Sequence, residues 1–214
     1  MLRILLLSDI HFIHCEDDEN DYRSLETAFV EAMDDVRDSG GVNQILICGD
    51  IANWGKEEEY NTAEVFLQSI LNRLECDERR TQIYVVPGNH DVDRSVNALT
   101  RRAWRDTLLD LTTADDFIKQ AKHKELDTLR TIYSPFEAYH KFANKHSSAD
   151  AVAVGILSGS NNYNNMSFRK EVDLGMLDNY LVRLHCLNSA LLCDKEDVND
   201  PRSIKDGEHK LYIP

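Results

Sequence analysis

Val85-Val86-Pro87-Gly88-Asn89-His90-Asp91 is the stretch that decides the fold. Ile83 to Val86 is a β-branched and aromatic run of the kind that a buried strand needs. Pro87-Gly88 stops that strand and turns the backbone. An amide, an imidazole and a carboxylate then follow on one loop. Sheets of α/β proteins place their ligand chemistry at this carboxyl edge. Two earlier runs repeat the pattern: Ile4 to Leu7 leads into Ser8-Asp9-Ile10-His11, and Ile45 to Cys48 into Gly49-Asp50-Ile51-Ala52-Asn53. Parallel strands of one sheet end at the same edge, so Asp9, His11, Asp50, Asn89 and His90 are predicted to converge. All five offer oxygen or imidazole nitrogen and none is a thiolate, a donor set that suits Mn, Fe or Zn over a sulfur-bound structural zinc. The pattern predicts a di-metal site.

Asp9-x-His11, Gly49-Asp50 and Gly88-Asn89-His90-Asp91, in that order and each after an apolar strand, resemble the calcineurin-like metallophosphoesterases. The resemblance covers residues 1 to about 95 and, more loosely, a later strand ending at Leu187-Asn188-Ser189. It implies an α/β metallophosphoesterase sandwich: a βαβαβ first sheet with flanking helices, a helical insertion, and the start of a second sheet. It also implies two divalent metal ions, Mn favoured, with Fe or Zn as alternatives. Such an ion pair neutralises phosphoryl oxygens and lowers the pKa of bound water toward ~7. By resemblance Asp50 bridges the ions, Asp9 and His11 hold the first, and Asn89 holds the second through its amide oxygen. His90 then contacts the scissile phosphate and protonates or stabilises the leaving oxygen. Asp91 either orients the His90 imidazole by accepting its other N–H or caps the turn after Gly88.

The family also supplies histidines from its second half, one after a later strand and a pair in Gly-His-x-His. This sequence has no Gly-His dipeptide, and after Asn188 its only histidine is His209. The visible ligand set therefore leaves each metal short of at least one ligand. The expectation is that the 214 residues are the front part of a longer protein. The other readings are a reduced relative that binds metal weakly, and a partner chain that completes the site. Diester hydrolysis is favoured over monoester, because Gly88-Asn89-His90-Asp91-Val92-Asp93-Arg94 looks more like the phosphodiesterase and nuclease branches than the protein phosphatases. Competing functions are a sensor or assembly module without full metal ligation, and a nuclease acting on single strands.

A chain of 214 residues accommodates one domain with an insertion, and a core that needs no staples. The net charge of −14 counts against duplex DNA as a partner; the resemblance implies a phosphoester, including a nucleotide, as the expected substrate. A homo-oligomer or partner domain stays open. Five scattered cysteines without a Cys-x-x-Cys pair fit a reducing cytoplasm, with Cys48 and Cys186 read as small core residues on strands. Leu2 to Leu7 is too short for a signal-peptide core, and no apolar run approaches the ~20 residues of a membrane helix.

Along the chain, Cys15 to Asp21 reads as an acidic loop that leads into a helix over 22–38, with Leu25, Phe29, Met33 and Val36 as its buried stripe. Ser39-Gly40-Gly41 ends that helix, and the unit so formed predicts a parallel strand pair. Trp54, on the loop after the second strand, either stacks a substrate ring or packs over the following helix. That helix shows Tyr60, Phe66, Leu67, Ile70, Leu71 and Leu74 on its inner face. From 94 to 146 apolar residues recur at three- and four-residue spacings, which predicts two or three inserted helices. His123, His140 and His146 in that segment read as surface or packed side chains, and His14 as a loop residue. Strands are expected at 151–157, 167–174 and 181–187, with a turn at 161–165.

Overall fold

Each of the three early apolar runs forms a strand in the computed structural model, which describes residues 2–13, 19–76, 81–97, 99, 103, 133–147, 169–177, 179–188 and 190. β1 (Ile4–Leu7), β2 (Gln44–Cys48) and β3 (Gln82–Val86) lie side by side in that order, all parallel. Leu7 sits beside Ile47, and Ile47 beside Val85, so the strands end together. Helices α1 (Glu19–Asp38) and α2 (Glu57–Arg73) make the crossovers. α1 starts three residues earlier than its apolar stripe indicates.

Period-two alternation sorts the sheet into two faces. Leu7, Ile45, Ile47, Ile83 and Val85 are buried in one cluster with Met33 of α1 and with Phe66, Leu67 and Ile70 of α2. Burial of each of the three α2 side chains contributes on the order of 1.5–3 kcal/mol. The start of α2 is set by an acidic first turn, Glu57 to Glu59. Glu59 is buried and reaches back, one carboxylate oxygen accepting from the Trp54 amide at 3.0 Å and the Lys56 amide at 2.9 Å. The Lys56 amide at the helix start and the Trp54 amide on the loop before it are so satisfied.

The opposite face of the sheet is open along β1, where Ile4 and Leu6 are exposed. Cys48 belongs to that face and is exposed too. The expectation of a core position for Cys48 is thus corrected: it ends β2 on the strand parity of exposed Leu6, not of buried Ile47. Cys186 is buried as expected.

α3 (Glu137–His146) is the described part of the helical segment, entered through a 3-10 turn at Ser134–Phe136. It packs on α2 and β3, and the buried Tyr139 hydroxyl donates to the Val85 carbonyl at 3.1 Å. His140 is buried with its ring stacked on Phe136. His146 packs on Phe142, ring centroids 4.8 Å apart, with Nε2 3.8 Å from a Glu64 oxygen. Burial lowers the His146 pKa below 6.5; Glu64 opposes that shift and Lys145 adds to it. The unfolded chain therefore takes up the proton at a higher pH than the folded one. Stability from this group is complete above pH ~6.5 and erodes as pH falls through that value. His146→Gln is expected to remove this part of the slope in urea midpoints between pH 7.5 and 5.5; an unchanged slope would refute the assignment.

β4 (Arg169–Leu177) and β5 (Tyr180–Leu187) form a separate antiparallel pair, with an irregularity between Asp173 and Gly175. Both strands were expected with slightly different bounds, but the tight turn between them was not. Asn179 there takes φ +71°, a backbone region that Asn tolerates. The strand expected at 151–157, the turn at 161–165, most of the helices expected between 98 and 132, His14 and His123 lie outside the described residues. Among the described residues no helix is long and apolar enough to cross a membrane.

Candidate metal centre

Backbone hydrogen bonds carry the β1–β2 ladder past the strand ends. The Asp9 amide donates to the Gly49 carbonyl at 3.2 Å, His11 to Asp50 at 2.9 Å and Phe12 to Ile51 at 2.8 Å, while the Asn53 amide donates back to Phe12 at 3.1 Å. This zipper brings Asp9, His11 and Asp50 together, and one ligand atom from each lies within 4.8 Å of the others. All three take left-handed backbone angles, φ +55°, +55° and +51°. Non-glycine residues held there cost on the order of 1 kcal/mol each and gather at functional sites.

The third loop joins through glycine. A Cβ on Gly88 would fall 2.2 Å from Asp50 Oδ1, and one on Gly49 would fall 2.6 Å from the Gly88 nitrogen. The β2 and β3 ends meet at this distance only because neither position carries a side chain. Beyond Gly88 the chain makes one 3-10 turn, Asn89–Asp91. The His90 amide donates to Asp50 Oδ1 at 2.7 Å, which fixes that carboxylate. The His90 ring meets His11 edge-on, ring centroids 4.5 Å apart. Asn89 opens the turn, half-buried, with its carbonyl accepting from Arg94 Nη2 at 3.1 Å.

Asp91 departs from the expected orienting role. It is fully buried, and Oδ1 accepts from the Ile51 and Ala52 amides, both at 3.0 Å, and from the Tyr60 hydroxyl at 2.7 Å. Oδ2 accepts from the Gly88 amide at 2.9 Å, which is the turn-capping alternative. Burial pushes the Asp91 carboxyl up to about 6, against the pull of the Gly88 and Ala52 amides and the Tyr60 hydroxyl, with nearby Asp50 raising it further. The imidazole is oriented instead by a backbone carbonyl: His90 Nδ1 lies 2.9 Å from the Asn53 oxygen. A carbonyl only accepts, so Nδ1 carries the hydrogen and Nε2 is the nitrogen for proton exchange. The physical reason for the difference is reach. Asp91 closes the 3-10 turn, where its side chain meets the β2 loop and not the ring of its own neighbour.

The helical spacing of Tyr60 predicts a core residue, and its hydroxyl's bond to Asp91 has no local signal. Glu59 does have one, an acid three positions after Lys56, the residue that precedes the helix. His185 is exposed on β5 with Nδ1 3.5 Å from a Glu171 oxygen.

These residues fit a divalent cation. His11 Nδ1 is buried and has no hydrogen-bond partner among the described residues. An unpartnered buried nitrogen is costly, and here it belongs to a side chain clustered with two carboxylates. A cation satisfies the nitrogen and relieves the repulsion between Asp9 and Asp50 in one step. The family model described as calcineurin-like phosphoesterase matches residues 2–194 of this chain. Among curated proteins, none matches it.

Proposed function

Because the chain belongs to the calcineurin-like phosphoesterases, metal-dependent hydrolases of phosphoesters, we propose that its strand-end loops hold two divalent ions and act on a phosphodiester. The observation that carries this reading is the unpartnered His11 Nδ1, on a side chain clustered with Asp9 and Asp50. When bound, such ions neutralise the phosphoryl oxygens and acidify water. Asp9 and His11 hold the first ion, Asn89 the second, and Asp50 is shared. Oxygen and imidazole donors favour Mn, with Fe or Zn as alternatives. His90, its Nδ1 hydrogen committed to the Asn53 carbonyl, uses Nε2 to protonate or stabilise the leaving oxygen. Asp91 acts one step back: it ties the Gly88 turn to the β2 loop and so holds His90 in place.

A diester fits the charge of this site better than a monoester. It carries one negative charge, where a monoester carries about two at neutral pH. The carboxylates of Asp9 and Asp50 already draw on the ions, and the Arg94 guanidinium is engaged by the Asn89 carbonyl. With Mn present, kcat/KM for bis(4-nitrophenyl) phosphate is expected to exceed that for 4-nitrophenyl phosphate by about tenfold, a difference of ~1.4 kcal/mol in barrier. Equal or reversed values would reject the diester preference, and turnover that survives chelation would reject the metal. The free thiols of Cys48, Cys76 and Cys186 support a reducing, cytoplasmic setting.

A further inference from the structure

We propose that Trp54 is a stacking platform for a flat ring in the substrate, so that the favoured phosphoesters carry a nucleobase or an aryl group. The inference rests on the reading of His90 as the group that meets the scissile phosphate. Trp54 is 55% exposed, and among the described residues its ring has no aromatic partner.

The backbone that carries this exposed ring is held on every side. Before it, the Asn53 amide donates to Phe12 at 3.1 Å. At it, the Trp54 amide is bound by buried Glu59 at 3.0 Å. After it, Gly55 takes φ +68° and lies so close to the 91–93 backbone that a Cβ would stand 2.6 Å from the Asp93 nitrogen. A bulky apolar side chain on a fixed backbone is already organised for binding, so little ordering entropy is lost when a ligand arrives. Its place is equally specific: the Asn53 carbonyl one residue earlier is the group that orients His90, at 2.9 Å. Trp54 follows directly on the residue whose carbonyl orients His90, and the proposal places the substrate ring on that side of the phosphate.

Stacking on an aromatic side chain tolerates any base, because every base presents a π face. The net charge of −14 disfavours a long polyanion, which leaves small esters as the class. The expected contribution is about tenfold in affinity.

The sequence contains two tryptophans, Trp54 and Trp104. In a Trp104→Phe background all tryptophan emission comes from Trp54. This protein, loaded with Mn, would be titrated with AMP, phenyl phosphate and ribose 5-phosphate. AMP or phenyl phosphate is expected to quench saturably and to bind about tenfold tighter than ribose 5-phosphate. Quenching by AMP alone assigns a nucleobase, and by phenyl phosphate as well a general aryl pocket. In Trp54→Leu, with AMP and ribose 5-phosphate binding followed by equilibrium dialysis, the preference for AMP should shrink toward one. Equal affinity for all three ligands, or a preference that survives Trp54→Leu, overturns the role of Trp54 and leaves the metal site untouched. Absence of saturable binding by all three overturns the site reading together with this one.

Discussion

Asp50→Asn is expected to fold normally and to lose hydrolysis by roughly 10²–10³-fold, the range seen when a transition-state charge loses one of its fixed partners. The substitution is nearly silent in shape. Asparagine keeps an oxygen where Oδ1 accepts from the His90 amide at 2.7 Å, and it tolerates the left-handed backbone of position 50. It fits beside Gly88, whose missing side chain leaves room for the Asp50 carboxylate. What it removes is the negative charge that two cations would share. Affinity for Mn should therefore drop along with turnover, by at least about 10–100-fold, while the thermal midpoint without metal stays within a few degrees. Hydrolysis that persists at the wild-type rate, with Mn affinity intact, would take Asp50 out of the site.

Asp91→Ala is the largest expected loss of stability. The carboxylate gathers four donors: three backbone amides, from Ile51, Ala52 and Gly88, and the Tyr60 hydroxyl. Alanine strands all of them in a position that is 0% exposed. Each unpaired buried donor costs roughly 1–3 kcal/mol. Even with partial rearrangement the sum is about 4 kcal/mol or more, a large share of the ~5–15 kcal/mol that holds a domain folded. Asp91→Asn keeps one acceptor oxygen but turns an amide against the Gly88 N–H, and is expected to cost about 2 kcal/mol. Urea midpoints of the two variants give the order directly. An Asp91→Ala midpoint close to wild type would mean that these bonds do not hold the loops together.

The two variants separate chemistry from architecture. Asp50 is half-buried with one oxygen tied and the other available, as a ligand needs. Asp91, 41 residues further on in the same loop cluster, has both oxygens committed to the protein. Two carboxylates on neighbouring strand-end loops, Asp50 directly after Gly49 and Asp91 three residues after Gly88, thus have opposite tasks. The division follows from which donors surround each once the loops have closed.

The sequence by itself determined the three parallel strands, the helices between them and the edge at which Asp9, His11, Asp50 and His90 meet. Those features depend on local matters: side-chain period, β-branched runs, and glycine and proline at strand ends. The parallel order follows as soon as helices separate the strands. Only the tertiary structure decided which face of β2 carries Cys48, that Trp54 stays in the open, that β4 pairs with β5 through a turn at Asn179, and that a backbone carbonyl and not Asp91 orients His90. The facing of Cys48 and the orientation of His90 are set by partners distant in the chain. A buried polar group binds whichever donor the fold brings within about 3 Å, and residue spacing along the sequence carries no record of that distance.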